Sequence, residues 1–326
     1  MTQRALFVLF AIALTGMPLL AEAHQPGKLP RIGILSPTAP PPPATPQVEL
    51  LLQGLRELGY EDGKTAMMEI RYGAYNPDRI AELAAELVRL QAAVIWTTTD
   101  LSTRALQRAT KTIPIVASVG FPVESGFVAS LARPGGNITG TSVQADELTL
   151  KRLELLKLAV PRMTRVAFLW DANLNERQIR MAETGSKSLG LQLQVVSVRA
   201  PAEVAEAIEA AVRGRADGLL LPVSPMLVAS RDAVVALTAR HRLPAVYANR
   251  EFVEAGGLIS YGPNLADTIR IAAGQIDKIL KGAKPAELPV QQATKFDLVV
   301  NFKTAKALGL ALPQSLVQRA DEVIHP

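Results

Sequence analysis

The sequence predicts an α/β protein with two lobes, each built on a doubly wound parallel sheet. Short apolar runs alternate with amphipathic segments along nearly the whole chain, the order that right-handed βαβ units produce. The pattern restarts near residue 160, which indicates a second sheet. Hydrophobic residues make up 48% of the 326 residues and aromatic residues only 5%, as expected when helices cover both faces of small aliphatic strands.

The first 23 residues have the pattern of a secretory signal peptide. Arg4 supplies a positive charge, residues 5–14 form an apolar run, and Ala21-Glu22-Ala23 fits a cleavage site. The run is shorter than the roughly 20 residues of a spanning helix, which disfavours the alternative of an N-terminal membrane anchor. Because the chain has no cysteine, it cannot be a lipoprotein. We therefore expect a mature protein that begins at His24 and is free in the periplasm.

Strands and helices alternate regularly through the first half of the chain. Buried strands are predicted at residues 31–35, 67–72, 94–96, 114–119 and 138–142, and helices at 47–58, 78–90, 102–111 and, briefly, 124–132. Gly59 fits the position just after a helix, where glycine is common. The prolines at 40–43 exclude regular structure and favour a stiff, extended loop.

The second half repeats this alternation of strands and helices after Pro161 ends a predicted helix at 148–160. Strands are predicted at residues 165–170, 191–198, 218–221, 244–247 and 257–260, with helices between them, including one at 227–241. The end of the chain differs, because a long amphipathic helix at 264–280 precedes a late strand at 296–302. This order suggests that the chain crosses between the lobes again.

Charge and composition exclude several classes of function. The net charge is +5, but the cations are spread along the chain and never cluster with aromatic residues, so no nucleic-acid partner is expected. The lack of cysteine excludes thiol nucleophiles and cysteine-ligated metals. The three histidines, His24, His241 and His325, lie far apart, and His241 fits a surface position at a helix end. We expect no metal, no cofactor and no catalytic residue.

Candidate ligand-binding residues follow from the rule that open parallel sheets bind ligands beyond the carboxyl ends of their strands. The rule selects Ser36, Ser224 and Tyr261 and the stretches 97–100, 120–123, 171–173 and 249–251. These positions are rich in hydroxyls, amides and helix starts, which hold a small polar ligand without transforming it. The predicted ligand-binding residues are Ser36, Thr98, Thr99, Gly120, Phe121, Asp171, Asn173, Ser224, Asn249, Arg250 and Tyr261.

Several of these positions have a structural alternative. Ser102 and Asn249 fit helix caps, the threonines at 97–99 fit a continued strand, and Asp171 fits a cap or turn. Arg250 fits a surface ion pair as well as a grip on a ligand carboxylate. Enzyme motifs such as G-x-S-x-G, the P-loop and H-E-x-x-H are absent, and the glycine cluster at 135–140 leads into a strand and so reads as a turn.

Several longer motifs resemble one bacterial family. They lie at residues 29–37, 53–60, 130–140, 151–157, 250–257, 260–264 and 303–310, for example Arg133-Pro134-Gly135-Gly136-Asn137 within the third. Over nearly the whole mature chain, the sequence resembles the ABC-transporter substrate-binding proteins related to the tryptophan-binding TrpX type.

The resemblance implies the type I periplasmic-binding-protein fold, in which two Rossmann-like lobes joined by a hinge close on a ligand. The lobes would comprise residues 30–144 with about 262–285, and about 145–261 with 286–326. Two motifs depart from the family pattern. Gly120-Phe121-Pro122 stands where members usually carry Gly-Asp-Pro, and Trp170-Asp171-Ala172 where they carry Trp-Asn-Pro. Phe121 could form an apolar wall, and Asp171 could meet a ligand ammonium.

The expected function is therefore that of a monomeric receptor for a small, amino-acid-like molecule. It would deliver this ligand to an inner-membrane ABC permease and its ATPase. Three alternatives stay open: a receptor that feeds a sensory system, a secreted hydrolase on the same scaffold, and a different ligand class such as a sugar, a nucleoside or an aromatic acid.

Overall fold

The computed structural model describes residues 29–39, 46–143, 145–174 and 176–325, with side chains omitted at 145–147. The predicted signal peptide and the prolines at 40–43 lie outside these residues. The described chain forms two parallel-stranded α/β lobes, which confirms the predicted fold class.

The first lobe is a six-stranded sheet with helices on both faces. Its elements in chain order are β1 (Arg31–Ser36), α1 (Pro46–Glu57), β2 (Met67–Tyr72), α2 (Pro77–Arg89), β3 (Val94–Thr98), α3 (Asp100–Ala109), β4 (Ile115–Val119) and β5 (Ile138–Ser142). The strand order is β11-β5-β4-β3-β1-β2, where β11 (Gln291–Gln292) returns from the end of the chain. Alternate residues of β1 point into different cores: Ile32 and Ile34 face α1, and Leu35 faces α2.

The second lobe has a seven-stranded sheet. Its first part consists of α4 (Ala145–Ala159), β6 (Arg165–Asp171), α5 (Arg177–Ser188), β7 (Gln192–Val198), α6 (Val204–Arg213), β8 (Gly218–Leu220), α7 (Pro225–Ala229), α8 (Arg231–Arg240), β9 (Ala245–Tyr247), α9 (Glu251–Glu254) and β10 (Ile259–Pro263). The end of the chain adds β12 (Phe296–Asn301), α11 (Phe302–Ala307), α12 (Gln314–Val317) and β13 (Glu322–Ile324). The strand order is β13-β12-β10-β9-β8-β6-β7. Only β12 runs antiparallel to its neighbour β10 among the described strand pairs.

The chain passes between the lobes at three places. It leaves the first sheet after β5, returns from β10 into α10 (Leu265–Leu280), and leaves again between β11 and β12. Helix α10 packs on α1 in the first lobe, where the Tyr60 hydroxyl donates to Asp277 at 3.0 Å. Because β11 pairs with β5, the last crossing follows Gln292, later than the residue 286 expected from the sequence.

Two predicted helices differ in the structure. Residues 124–132 form turns, because Gly126 adopts a φ of +69° and the amides of both Phe127 and Val128 donate to the Pro122 carbonyl. The helix predicted at 227–241 is split into α7 and α8 at Ser230, whose hydroxyl donates back to the Met226 carbonyl at 3.1 Å. Such back-bonding bends helices.

A substitution at Gly140 in β5 tests how closely β4 and β5 pack in the first sheet. Its φ is +143°, and a Cβ there would lie 1.9 Å from the Ala117 carbonyl oxygen of β4. We expect Gly140→Ala to destabilise the protein by about 1–3 kcal/mol, since backbone atoms must move to make room. The urea midpoint followed by circular dichroism measures this. Gly136→Ala is the matched control, because Gly136 has open space at its Cβ position. Equal midpoints for the two variants would show that β4 leaves room for a Cβ at position 140.

Candidate functional site

A cleft of about 1000 Å³, including space open to solvent, lies between the two lobes at the carboxyl ends of their strands. Both sheets point this edge at the cleft, so loops from both lobes form its walls. The first lobe contributes Gln47, Trp96, Thr98, Thr99, Asp100, Ser118, Val119, Gly120, Phe121 and Val143; the second lobe contributes Leu174, Gln178, Val223, Pro225, Val228 and Asn249; and the return into α10 contributes Pro263, Leu265, Thr268 and Ile269.

The structure brings together part of the predicted set. Thr98, Thr99, Gly120, Phe121 and Asn249 all line the cleft. The other predicted residues, Ser36, Asp171, Asn173, Ser224, Arg250 and Tyr261, are not among its lining residues.

Asp171 is buried in a network that closes the loop after β6. One carboxylate oxygen accepts the Ser224 hydroxyl at 2.6 Å, and the other accepts both the backbone and side-chain N–H of Asn173 at 2.9 Å. Ser224 also caps α7 by accepting the Leu227 amide at 3.1 Å. These bonds occupy both oxygens of Asp171, so the structure gives it the turn-forming role that was the alternative to meeting a ligand ammonium.

Arg250 is not among the residues that line the cleft. Its guanidinium donates to Glu254 at 2.7 Å and to Glu322 at 2.6 Å, and its side chain is 38% exposed. The hydrogen bond to Glu254, with that to Glu322, raises the pKa of Arg250. In this arrangement Arg250 forms the surface ion pairs that the sequence also allowed. Its grip on a ligand carboxylate stays a prediction.

Ser36 and Tyr261 also serve local structure. The Ser36 hydroxyl lies 2.9 Å from that of Thr38, within the same loop. The Tyr261 carbonyl accepts the Arg152 Nε at 2.6 Å, and the Tyr261 ring packs at a tilt against Phe296.

Thr99 holds a strained backbone at the edge of the cleft. Its φ of +70° and ψ of 148° lie outside the regions that a β-branched residue normally adopts. It is the N-cap of α3, because its hydroxyl accepts the Ser102 amide at 3.5 Å, whereas Thr97 and Thr98 continue β3. Strain of this kind is concentrated at functional sites, where it fixes the direction of a loop.

Three lining residues, Asp100, Trp96 and Asn249, carry polar groups that are largely or fully buried. Asp100 is mostly buried and accepts the Ser125 hydroxyl at 2.5 Å, and burial raises the pKa of its carboxyl. The buried indole N–H of Trp96 and the side-chain oxygen of Asn249 have no hydrogen-bond partner among the described residues. Asn249 is therefore not the helix cap that the sequence also allowed.

The prediction missed the residues that enter the cleft from helices and from strand interiors. Asp100 lies in the stretch 97–100 that the strand-end rule selects, although it is not one of the predicted ligand-binding residues. Gln47 enters the cleft from α1. Leu265, Thr268 and Ile269 of α10 reach it because α10 returns to the first lobe. No local sequence pattern indicates that return position.

Two contacts join the lobes at the rim of the cleft. Arg177 of α5 donates to Glu124 of the first lobe at 2.9 Å, and its guanidinium lies 5.1 Å from the centre of the Phe121 ring. Tyr75, in the first lobe's loop after β2, packs against an apolar cluster of the second lobe that includes Leu227. Burial raises the pKa of Tyr75, whose hydroxyl has no partner among the described residues.

The sequence model of the family of ABC transporter substrate binding proteins matches residues 42–324, nearly the whole described chain. The chain belongs to this family. A tyrosine-binding protein of Clostridioides difficile (strain R20291) is 26% identical over 264 residues, which cover 79% of this chain and 75% of that protein. The family and this relative are binding proteins, not enzymes.

Solved structures show the same fold. A Streptococcus pneumoniae ABC domain in complex with L-Trp superposes with a TM-score of 0.83 at 24% identity, covering 91% of this chain and 100% of that one. A conserved domain protein of Vibrio cholerae gives the same four values. The ligand-free, open structure of a Clostridium difficile substrate binding protein with adhesive properties has a TM-score of 0.64, also at 24% identity with 91% and 100% coverage.

Neither a candidate membrane span nor a candidate metal cluster occurs in the described ranges. No helix in these ranges is long and apolar enough to cross a membrane. No group of three or more histidine, aspartate or glutamate side chains there is placed to hold a metal ion.

Arg250→Ala tests the assignment of Arg250 to the surface. We expect the free energy of unfolding to change by about 0–1 kcal/mol, because exposed ion pairs contribute little. We expect ligand affinity, measured by calorimetry, to stay within about twofold, since Arg250 does not line the cleft. A loss of affinity of tenfold or more would contradict this placement and restore the predicted role in binding.

Proposed function

We propose that this protein is a periplasmic solute receptor of an ABC importer and that it binds an aromatic amino acid or a close analogue between its lobes. The observation that carries the proposal is the cleft itself, which lies at the strand ends of both sheets and has walls from both lobes. A largely apolar pocket with a few polar groups is the typical binding site for a small molecule.

The lining suits a ligand with an apolar body and a polar end. Phe121, Val119 and Val143 provide apolar surface from the first lobe, and Leu174 and Val228 provide it from the second. Hydroxyl groups are grouped at the carboxyl ends of β3 and β4, on Thr98, Thr99 and Ser118. One relative is a tyrosine-binding protein, and one structural neighbour was solved in complex with L-Trp. Both support an aromatic ligand.

Delivery to a transporter is the second part of the proposal. The chain would be exported through a signal peptide cleaved after Ala23 and would act as a monomer in the periplasm. An inner-membrane permease with its ATPase would receive the ligand. Uptake of labelled ligand into cells with and without this protein separates import from the sensory alternative, in which uptake would not depend on it.

Direct binding is the decisive test of ligand class. We expect calorimetry of the refolded, ligand-free mature protein to show one site for L-tryptophan, L-tyrosine or L-phenylalanine, with a dissociation constant of about 1 µM or lower, near 8 kcal/mol of binding free energy. Alanine, glutamate and glucose serve as controls. A folded protein that binds none of the three aromatic amino acids would refute the proposed ligand class.

The substitution Tyr75→Ala tests whether closure of the lobes contributes to binding. Its ring leaves the second lobe's apolar cluster when the lobes separate, so Tyr75→Ala should favour the open arrangement. Burying an aromatic side chain contributes about 1.5–3 kcal/mol, which corresponds to about tenfold or more in affinity. Tyr60→Phe is the control, since Tyr60 contacts Asp277 within the first lobe.

X-ray scattering supplies the second readout for Tyr75. With saturating ligand, the parent protein should have a smaller radius of gyration than without it, and Tyr75→Ala should need more ligand to reach the same value. Unchanged affinity in Tyr75→Ala would show that the rim contact does not influence closure.

A further inference from the structure

We propose that Asp100 binds the ammonium group of the ligand, and that the cleft selects aromatic amines by this group and does not require the ligand's carboxylate. The inference rests on the proposed function and adds to it the chemical group that is recognised. Its consequence is that a decarboxylated aromatic amine is a ligand of the same cleft.

The charge inventory of the cleft is the first argument. Among the described lining residues, Asp100 is the only one with a charged side chain, and there is no lysine, arginine or histidine. The two nearby arginines are engaged elsewhere. Arg104 donates to the Ser125 carbonyl at 2.8 Å and stacks over Phe127, and Arg177 pairs with Glu124 at the rim. Among its described lining residues, the cleft therefore offers an anionic side chain to a cationic ligand and no cationic side chain to an anionic one.

The environment of the Asp100 carboxylate is the second argument. It lies in the first turn of α3 and is held by the Ser125 hydroxyl, but it forms no ion pair in the described part of the chain. Burial raises the pKa of this carboxyl, and the Ser125 hydrogen bond and the charge of Arg104, which forms no ion pair with it, oppose that rise. A ligand ammonium in contact with the carboxylate would supply an ion pair and further hydrogen bonds.

One other polar group in the same cleft fits this pattern. The side-chain oxygen of Asn249, from the opposite lobe, accepts a hydrogen bond from no described group. Buried polar atoms in proteins normally have partners, so this oxygen indicates a ligand with a donor. An ammonium has donors for Asp100 and Asn249 together.

A ligand series on the unmodified protein is the first test. We expect tryptamine, which keeps the ammonium and lacks the carboxylate, to bind no more than about tenfold more weakly than L-tryptophan in calorimetry. We expect indole-3-propionate, which keeps the carboxylate and lacks the ammonium, to bind at least about 30-fold more weakly than L-tryptophan, the usual effect of removing one partner of a buried charged pair. The reverse order of the two analogues would overturn the proposal.

The substitution Asp100→Asn is the second test. It keeps the shape of the side chain and removes the charge, so we expect affinity for L-tryptophan and tryptamine to fall at least about 30-fold. Its ligand-free melting temperature should stay close to that of the parent, because asparagine keeps a side-chain oxygen that can accept the Ser125 hydroxyl. Asp78→Asn is the matched control: Asp78 lies in the first turn of α2, in the same lobe, but is exposed and outside the cleft.

The outcomes separate this inference from the proposed function. If L-tryptophan binds the parent and Asp100→Asn equally well, the role of Asp100 is refuted while the receptor function stands. If tryptamine binds more than tenfold more weakly than L-tryptophan, the carboxylate is recognised and the selectivity proposal fails alone. If the folded parent binds no aromatic amino acid or amine, the proposed ligand class and this inference both fail.

Discussion

The connectivity of the chain is the constraint on which the cleft depends. Three segments pass between the sheets, so each lobe is completed by residues from the last part of the sequence. Helix α10 follows directly from β10 of the second lobe yet packs on α1 of the first. Its first turns consequently lie in the cleft, where Leu265, Thr268 and Ile269 form part of the lining. The binding surface thus includes the segment about which the lobes would move.

A buried guanidinium links two of these crossings. Arg152 lies on α4, just after the first crossing, and donates from Nε to the carbonyl of Tyr261, just before the second, at 2.6 Å. It is almost fully buried without a carboxylate partner in the described residues, and this burial lowers its pKa to about 9. A fixed polar contact between α4 and β10 holds the two segments in register as they enter and leave the second lobe.

Sequence periodicity predicted the fold because each strand and helix has its own apolar pattern. It could not determine where α10 and β11 pack, since their contacts with α1 and β5 depend on residues more than 100 positions away. The same limit applies to the cleft. Strand ends identified Thr98, Gly120 and Asn249, whereas Gln47 and Ile269 reach the cleft only through helix packing.

Asp171 and Asp100 show why residue type at a strand end does not determine its role. Each follows or ends a strand that points at the cleft, and each carboxylate is largely buried. The oxygens of Asp171 accept three hydrogen bonds from Ser224 and Asn173, so its charge is stabilised within its own loop. In the described part of the chain, the Asp100 carboxylate accepts one hydrogen bond, from the Ser125 hydroxyl. Because hydrogen bonds to a carboxylate offset the cost of burying it, the carboxylate with fewer of them gains more from a cation that arrives with the ligand.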